Sequence, residues 1–156
     1  MAETTLKNQT AVVTGASLGI GRATALAFGE SGANVVVNYR SSEKAAQEVV
    51  TQITAAGGKA VAHHADMADQ EAVESLIQRG VEEFGRVDIA ISNAAYSDRD
   101  YFYQADMEGF RRTVDVTMWG AFYLTRAATQ QMISQGDGGI ITLVSSPHAF
   151  IPTPKA

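Results

Sequence analysis

Apolar runs too continuous for a half-wet strand alternate with amphipathic stretches along this chain. The clearest is Ala33 to Tyr39, where Val35, Val36 and Val37 follow one another. A strand with one face in water alternates apolar and polar residues. An unbroken run suits a parallel strand covered by helices on both faces. Shorter runs at 10–14, 59–65, 87–92 and 140–145 read the same way. Between them, residues 18–31 place Ile20, Ala23, Ala27 and Phe28 at helical spacing, with Gly32 in the stop position. Ser42 predicts the cap of a helix from Glu43 to Ala56 that ends at Gly57-Gly58, and Asp69 predicts the cap of another that ends near Phe84, before Gly85. After an irregular polar and aromatic stretch, Tyr96 to Gln104, a long helix is expected from Met107 to Ser134, bent near Gly120.

Strict alternation of five strands with four helices predicts an α/β fold: a doubly wound, Rossmann-type parallel sheet with helices on both faces. At 156 residues the expectation is a single domain over 1–156. In such sheets ligands bind beyond the C-terminal strand ends. Five stretches meet that condition: Gly15 to Gly21, Asn38 to Ser41, Asp66-Met67, Ser92 to Tyr96, and Ser145 to His148.

The first stretch belongs to Thr14-Gly15-Ala16-Ser17-Leu18-Gly19-Ile20-Gly21. It lies between a strand and a helix, where unpaired N–H groups and the positive dipole end suit a phosphate. Gly15 suits the tight turn, and Gly19 and Gly21 permit close approach of a pyrophosphate and the neighbouring strand. Gly15, Ser17, Leu18, Gly19, Ile20 and Gly21 are therefore candidate cofactor contacts. Taken alone, the same glycines also suit a turn needed only for packing.

After the second strand stand Tyr39, Arg40, Ser41 and Ser42, with no acid before Glu43. An acid here suits the ribose 2′-OH of NAD, whereas a guanidinium beside hydroxyls suits the 2′-phosphate of NADP. This favours NADP(H), with NAD(H) still compatible, although Arg40 alone also reads as a solvated surface charge. Leu18 occupies a loop position where a second basic residue would have strengthened the clamp. Asp66, followed by Met67, is a candidate acceptor for the adenine amino group or simply a turn former. Asn93, Ala94 and Ala95 suit close approach to a ribose or a bare turn. Ser146 is a candidate partner for a substrate oxygen or a strand terminus.

The net charge of −5 disfavours nucleic acid and anionic membranes as partners. With no cysteine, these residues offer no disulfide and no thiolate chemistry. His63 and His64 are adjacent on a strand and point to opposite sides, so they do not suggest a shared metal. Met1 to Gln9 is polar, and no apolar run approaches the roughly 18 residues of a membrane span. The expectation is a cytoplasmic protein.

Together the Thr14–Gly21 loop, Asp66, Ser92-Asn93-Ala94-Ala95 and Ser145-Ser146 resemble the short-chain dehydrogenase/reductase family, over essentially the whole chain. The resemblance implies hydride transfer between a nicotinamide and a small-molecule carbonyl or alcohol. It implies that Ser146 orients the substrate oxygen while a Tyr serves as acid/base beside a Lys. The family's helix Asn aligns at Thr117, whose single hydroxyl replaces an amide, and Ala95 replaces a glycine.

The family's Tyr is followed four residues later by Lys. Here Tyr39, Tyr96, Tyr101, Tyr103 and Tyr123 are followed at that spacing by Glu43, Asp100, Ala105, Met107 and Ala127. By the resemblance, the Tyr falls just beyond Ala156. The chain therefore reads as the N-terminal part of such an enzyme, inactive alone, or as a non-catalytic dinucleotide-binding or interaction module. A methyltransferase-like α/β domain fits the Asn93 and Ser146 positions less well. An uncovered face holding Phe122, Tyr123, Ile141 and Leu143 predicts a homo-oligomer or a poorly stable monomer. Tyr96, Tyr101, Phe102, Tyr103, His148 and Phe150 supply either an aromatic wall or core and lid packing.

Overall fold

The computed structural model describes residues 6–97, 101, 103–147 and 150–151. Strands β1 (Thr10–Val13), β2 (Asn34–Tyr39), β3 (Lys59–His64), β4 (Ile89–Ser92) and β5 (Ile140–Leu143) pair in parallel. Their spatial order is β3-β2-β1-β4-β5. The chain thus winds outward from β1 to β3, then crosses back to lay β4 on the other side of β1. That reversal opens a crevice at the C-terminal ends of β1 and β4.

The helices are α1 (Gly19–Glu30), α2 (Glu43–Ala55), α3 (Gln70–Phe84), α4 (Met107–Val114) and α5 (Gly120–Gln135). Alternation along each strand divides the core. Val12 and Val36 pack with Val73 and Leu76 of α3 and Leu124 and Met132 of α5. Val13, Val35 and Val37 pack with Ala25 of α1 and Val49 and Ile53 of α2. Both sides of the central strands are covered, which is why Val35-Val36-Val37 lacks a polar member. Each such fully buried side chain contributes about 1.5–3 kcal/mol.

Local chemistry sets the element ends. The Asp69 carboxylate accepts the Glu71 and Ala72 N–H groups and caps α3, while Gly85 at φ 84° ends it. Ser42, expected as a cap, makes no side-chain cap bond to α2. The expected fourth strand is shorter than 87–92, beginning at Ile89, and Val87 gives both backbone groups to Gln135 instead: Oε1 accepts its N–H at 3.2 Å and Nε2 donates to its carbonyl at 2.9 Å. At the sheet's N-terminal edge the buried Asp88 accepts the Thr10 N–H at 2.8 Å and pairs with Arg86, which also reaches Asp137 at 3.0 Å.

The expected long helix is not continuous. A π-helical turn, Asp115–Trp119, separates α4 from α5, so the irregularity lies just before Gly120. The expected uncovered face is only half apparent. Phe122 and Leu143 are 54% and 57% exposed, but Tyr123 and Ile141 pack against the core. Tyr101, Tyr103 and Phe150 are exposed, which corrects the core-packing alternative for them. Residues 1–5, Phe102, His148 and the Pro152–Ala156 end lie outside the described residues.

Candidate functional site

The crevice between β1 and β4 is a cleft of about 640 Å³, open to solvent at the C-terminal edge of the sheet. Its floor is the glycine turn. Gly15 sits at φ 61°, in the left-handed region, and donates its N–H to the Asn38 side-chain oxygen at 3.0 Å. The Asn38 amide nitrogen in turn donates to the Ala65 carbonyl at 3.0 Å. One buried side chain thereby ties together the ends of β1, β2 and β3.

The β4 end closes the other side. Thr14 Oγ1 donates to the Ile91 carbonyl and accepts the N–H groups of Asn93 and Ala94 at 2.9 and 3.0 Å. Asn93 Nδ2 donates back to the Thr14 carbonyl at 2.9 Å. Gly21 packs under this junction. A Cβ there would lie 2.4 Å from the Gly15 oxygen and 2.5 Å from Asn93 Nδ2.

These contacts aim the N-terminus of α1 at the cleft. Leu18 occupies its N-cap position without a side-chain cap, and its first turn holds no acid. The first helical bond runs from the Arg22 N–H to the Leu18 carbonyl, so the N–H groups of Gly19, Ile20 and Gly21 precede the ladder. By contrast, Asp69 and Asp106 cap α3 and α4. A helix N-terminus with an uncompensated dipole and a glycine approach suits an anion.

Sequence-selected residues from four strand ends, those of β1 to β4, meet around the cleft. Gly15, Ser17, Gly19 and Ile20 line its base, Tyr39, Arg40 and Ser41 one end, and Asp66, Asn93, Ala94 and Ala95 the wall. Met67 borders it, although its side chain is buried in the core. Leu18 and Gly21 flank the turn without lining the cleft. Ser146 lies beyond the end of β5, outside the cleft lining. Thr117 reaches the cleft rim indirectly: its hydroxyl accepts the Tyr96 N–H at 3.3 Å and donates to the Tyr96 carbonyl at 3.2 Å.

One side chain, Arg112, has no place in the sequence reading, and Asn38, which stands in the expected strand-end stretch Asn38 to Ser41, holds the glycine turn through an amide contact that no pattern predicted. The structure places Arg112 in the cleft wall, where its Nη2 donates to both Asp66 oxygens, at 2.8 and 2.6 Å. Asp66 also accepts the Ala68 N–H at 3.0 Å. Partial burial opposes ionisation of Asp66, but the Ala68 N–H, the Arg112 guanidinium and the more distant charge of Arg40 prevail and hold its carboxyl below the usual range. At the same end, partial burial and the Glu43 carboxylate push the Tyr39 phenol up.

A family model described as short chain dehydrogenase matches residues 9–156. The chain belongs to the short-chain dehydrogenase family. It is 40% identical over 146 residues to an L-rhamnose 1-dehydrogenase (NAD(P)(+)) of Sphingomonas sp., covering 94% of this chain and 58% of that protein. It is 39% identical over 142 residues to a 3-oxoacyl-[acyl-carrier-protein] reductase of Synechocystis sp., covering 91% and 58%. A dehydrogenase/reductase from Sinorhizobium meliloti superposes with a TM-score of 0.91 at 35% identity, over 98% of this chain and 60% of that one. The chain thus spans about 58% of the curated relatives' length. Among the described residues, no helix is long and apolar enough to cross a membrane.

Proposed function

We propose that this short-chain dehydrogenase chain is a single dinucleotide-binding domain of an oxidoreductase, and that its cleft holds a nicotinamide dinucleotide. The carrying observation is the uncapped N-terminus of α1, held at the β1–β4 crevice by the Thr14–Asn93 and Gly15–Asn38 contacts. The pyrophosphate lies against the N–H groups of the glycine turn. Arg40 and Ser41 meet the 2′-phosphate, which favours NADP(H) over NAD(H). Asp66 accepts from the adenine amino group, and Asn93 to Ala95 border the nicotinamide ribose.

When bound, the cofactor supplies hydride exchange with a small-molecule carbonyl or alcohol. Ser146, beyond β5, orients the substrate oxygen. Thr117 stands at the position of the family's helix Asn and holds the Tyr96 backbone through a hydroxyl that both donates and accepts. The protein works in the cytoplasm as a homo-oligomer. The 156 residues contain no Tyr followed four residues later by Lys, so this stretch binds cofactor without appreciable turnover.

Fluorescence titration of the purified chain with NADPH and NADH tests the reading. Saturable binding, tighter for NADPH, is expected. Absence of binding by both dinucleotides overturns it. Carbonyl-dependent NADPH oxidation at the rate of a complete enzyme would refute the inactivity of this stretch and, with it, the non-catalytic-module alternative.

A further inference from the structure

Asp66 and Arg112 reach the cleft from different elements of the fold. Asp66 follows β3, and Arg112 lies in the last turn of α4, 46 positions along the chain. Both side chains are partly solvent-exposed, at 33% and 26%, and both line the cleft. A surface ion pair of this kind adds little stability. Its effect on geometry is larger. A carboxylate on a strand-end loop turns about its Cα–Cβ and Cβ–Cγ bonds unless something fixes it. Here Oδ1 takes the Ala68 N–H and Arg112 Nη2, and Oδ2 takes Arg112 Nη2. A carboxylate offers about four lone-pair positions. Three are occupied by these contacts, and the fourth belongs to Oδ2.

We infer that Arg112 is a positioning residue for base recognition: it fixes the Asp66 carboxylate so that its one remaining acceptor position receives the exocyclic amino group of an adenine. The inference rests on the dinucleotide reading of the cleft and adds to it a residue on α4. Arg112 does not need to touch the ligand. It sets the plane of the carboxylate and keeps it ionised, so the base is read as amino-bearing rather than carbonyl-bearing. A carbonyl at that position would face a fixed anion with no donor between them. Arg40, the other cation acting on Asp66, follows β2 and acts through space, so it cannot supply this orientation.

The test compares binding of NADPH with binding of its deamino analogue, in which hypoxanthine replaces adenine and a carbonyl oxygen stands where the amino group was. The wild-type chain should bind NADPH about tenfold more tightly than the analogue, the value of one hydrogen bond to a charged group. Arg112→Leu should bring the ratio to near unity, chiefly by weakening NADPH. Arg112→Lys should recover part of the preference, because it restores charge without the planar fork. Asp66→Asn should reverse the preference, since an amide can donate to the carbonyl. Circular dichroism melts of each variant establish that it is folded.

An unchanged ratio in folded Arg112→Leu overturns the inference and leaves the dinucleotide reading intact. Equal weakening of both nucleotides also overturns it, because that marks a structural or phosphate-binding role. Absence of binding by the wild-type chain to either nucleotide overturns the dinucleotide reading itself, and the inference with it.

Discussion

The Thr14 hydroxyl accepts the Asn93 backbone N–H at 2.9 Å, and Asn93 Nδ2 donates back to the Thr14 carbonyl at the same distance. Two residues 79 positions apart thus join the ends of the parallel strands β1 and β4, where the strand order reverses. The Thr14 side chain is buried among partners it fully uses. Thr14→Val keeps the shape and strands the Asn93 and Ala94 N–H groups. A loss of about 1–3 kcal/mol is expected, read as a lower urea midpoint. Thr14→Ser should recover most of it. A Thr14→Val midpoint equal to wild type would show that these bonds contribute nothing net.

Gly21→Ala should damage the turn more than Gly19→Ala. At Gly21 the added Cβ meets the Gly15 carbonyl and the Asn93 amide, and the carbonyl is backbone that cannot swing aside. Gly19 has open space and only a left-handed φ of 56°, a strain of about 1 kcal/mol for alanine. NADPH titration should show affinity lost by more than about tenfold at Gly21, with a smaller change at Gly19. Equal effects at both positions would contradict the packing argument.

Arg40 lines the end of the cleft beside Ser41. Arg40→Ser should weaken NADPH by about tenfold and leave NADH nearly unchanged, because only NADPH carries the 2′-phosphate. Parallel titrations with the two cofactors read the ratio. A matched loss for both would remove Arg40 from phosphate recognition.

The carboxyl of Asp66 is held below its usual range despite partial burial. A group with a depressed folded-state value stabilises the fold above the unfolded value, about 3.9, and loses that contribution as pH falls through the folded value. The gap between wild type and Asp66→Asn in thermal melts should therefore stay constant from neutrality down to about pH 4 and narrow only below it, as the carboxylate is protonated. A gap that narrows well above about pH 4, or that does not narrow at all on further acidification, would refute the linkage.

Trp119, Phe122 and Leu143 leave apolar surface in solvent; the Trp119 ring stacks on Tyr123, and Phe122 meets both rings edge-on. Light scattering after size exclusion should show concentration-dependent association, which Phe122→Lys reduces. A wild-type chain that stays monomeric and unfolds cooperatively would refute this expectation.

Much of the fold was legible because its signals are local. The run at Val35 to Val37 is apolar throughout since both faces of β2 are covered, and the glycine after α3 stands where a left-handed residue ends the helix. Gly120 marked a bend in the long helix but not its form: the π-helical turn Asp115–Trp119 just before it carries no proline or glycine of its own. Ser42 misled because a capping residue type does not guarantee a capping geometry.

For the site, Gly15 to Gly21, Arg40, Asp66 and Asn93 were accessible to sequence reasoning because each follows a strand, and parallel strands deliver all their C-terminal ends to one edge. That much follows from backbone periodicity and short-range turn chemistry. Only the tertiary structure decided that the Asn38 amide holds the glycine turn, and that Arg112 of α4 meets Asp66 in the cleft. Those contacts join residues 23 and 46 positions apart. Their geometry depends on how strands and helices pack, which no local pattern encodes.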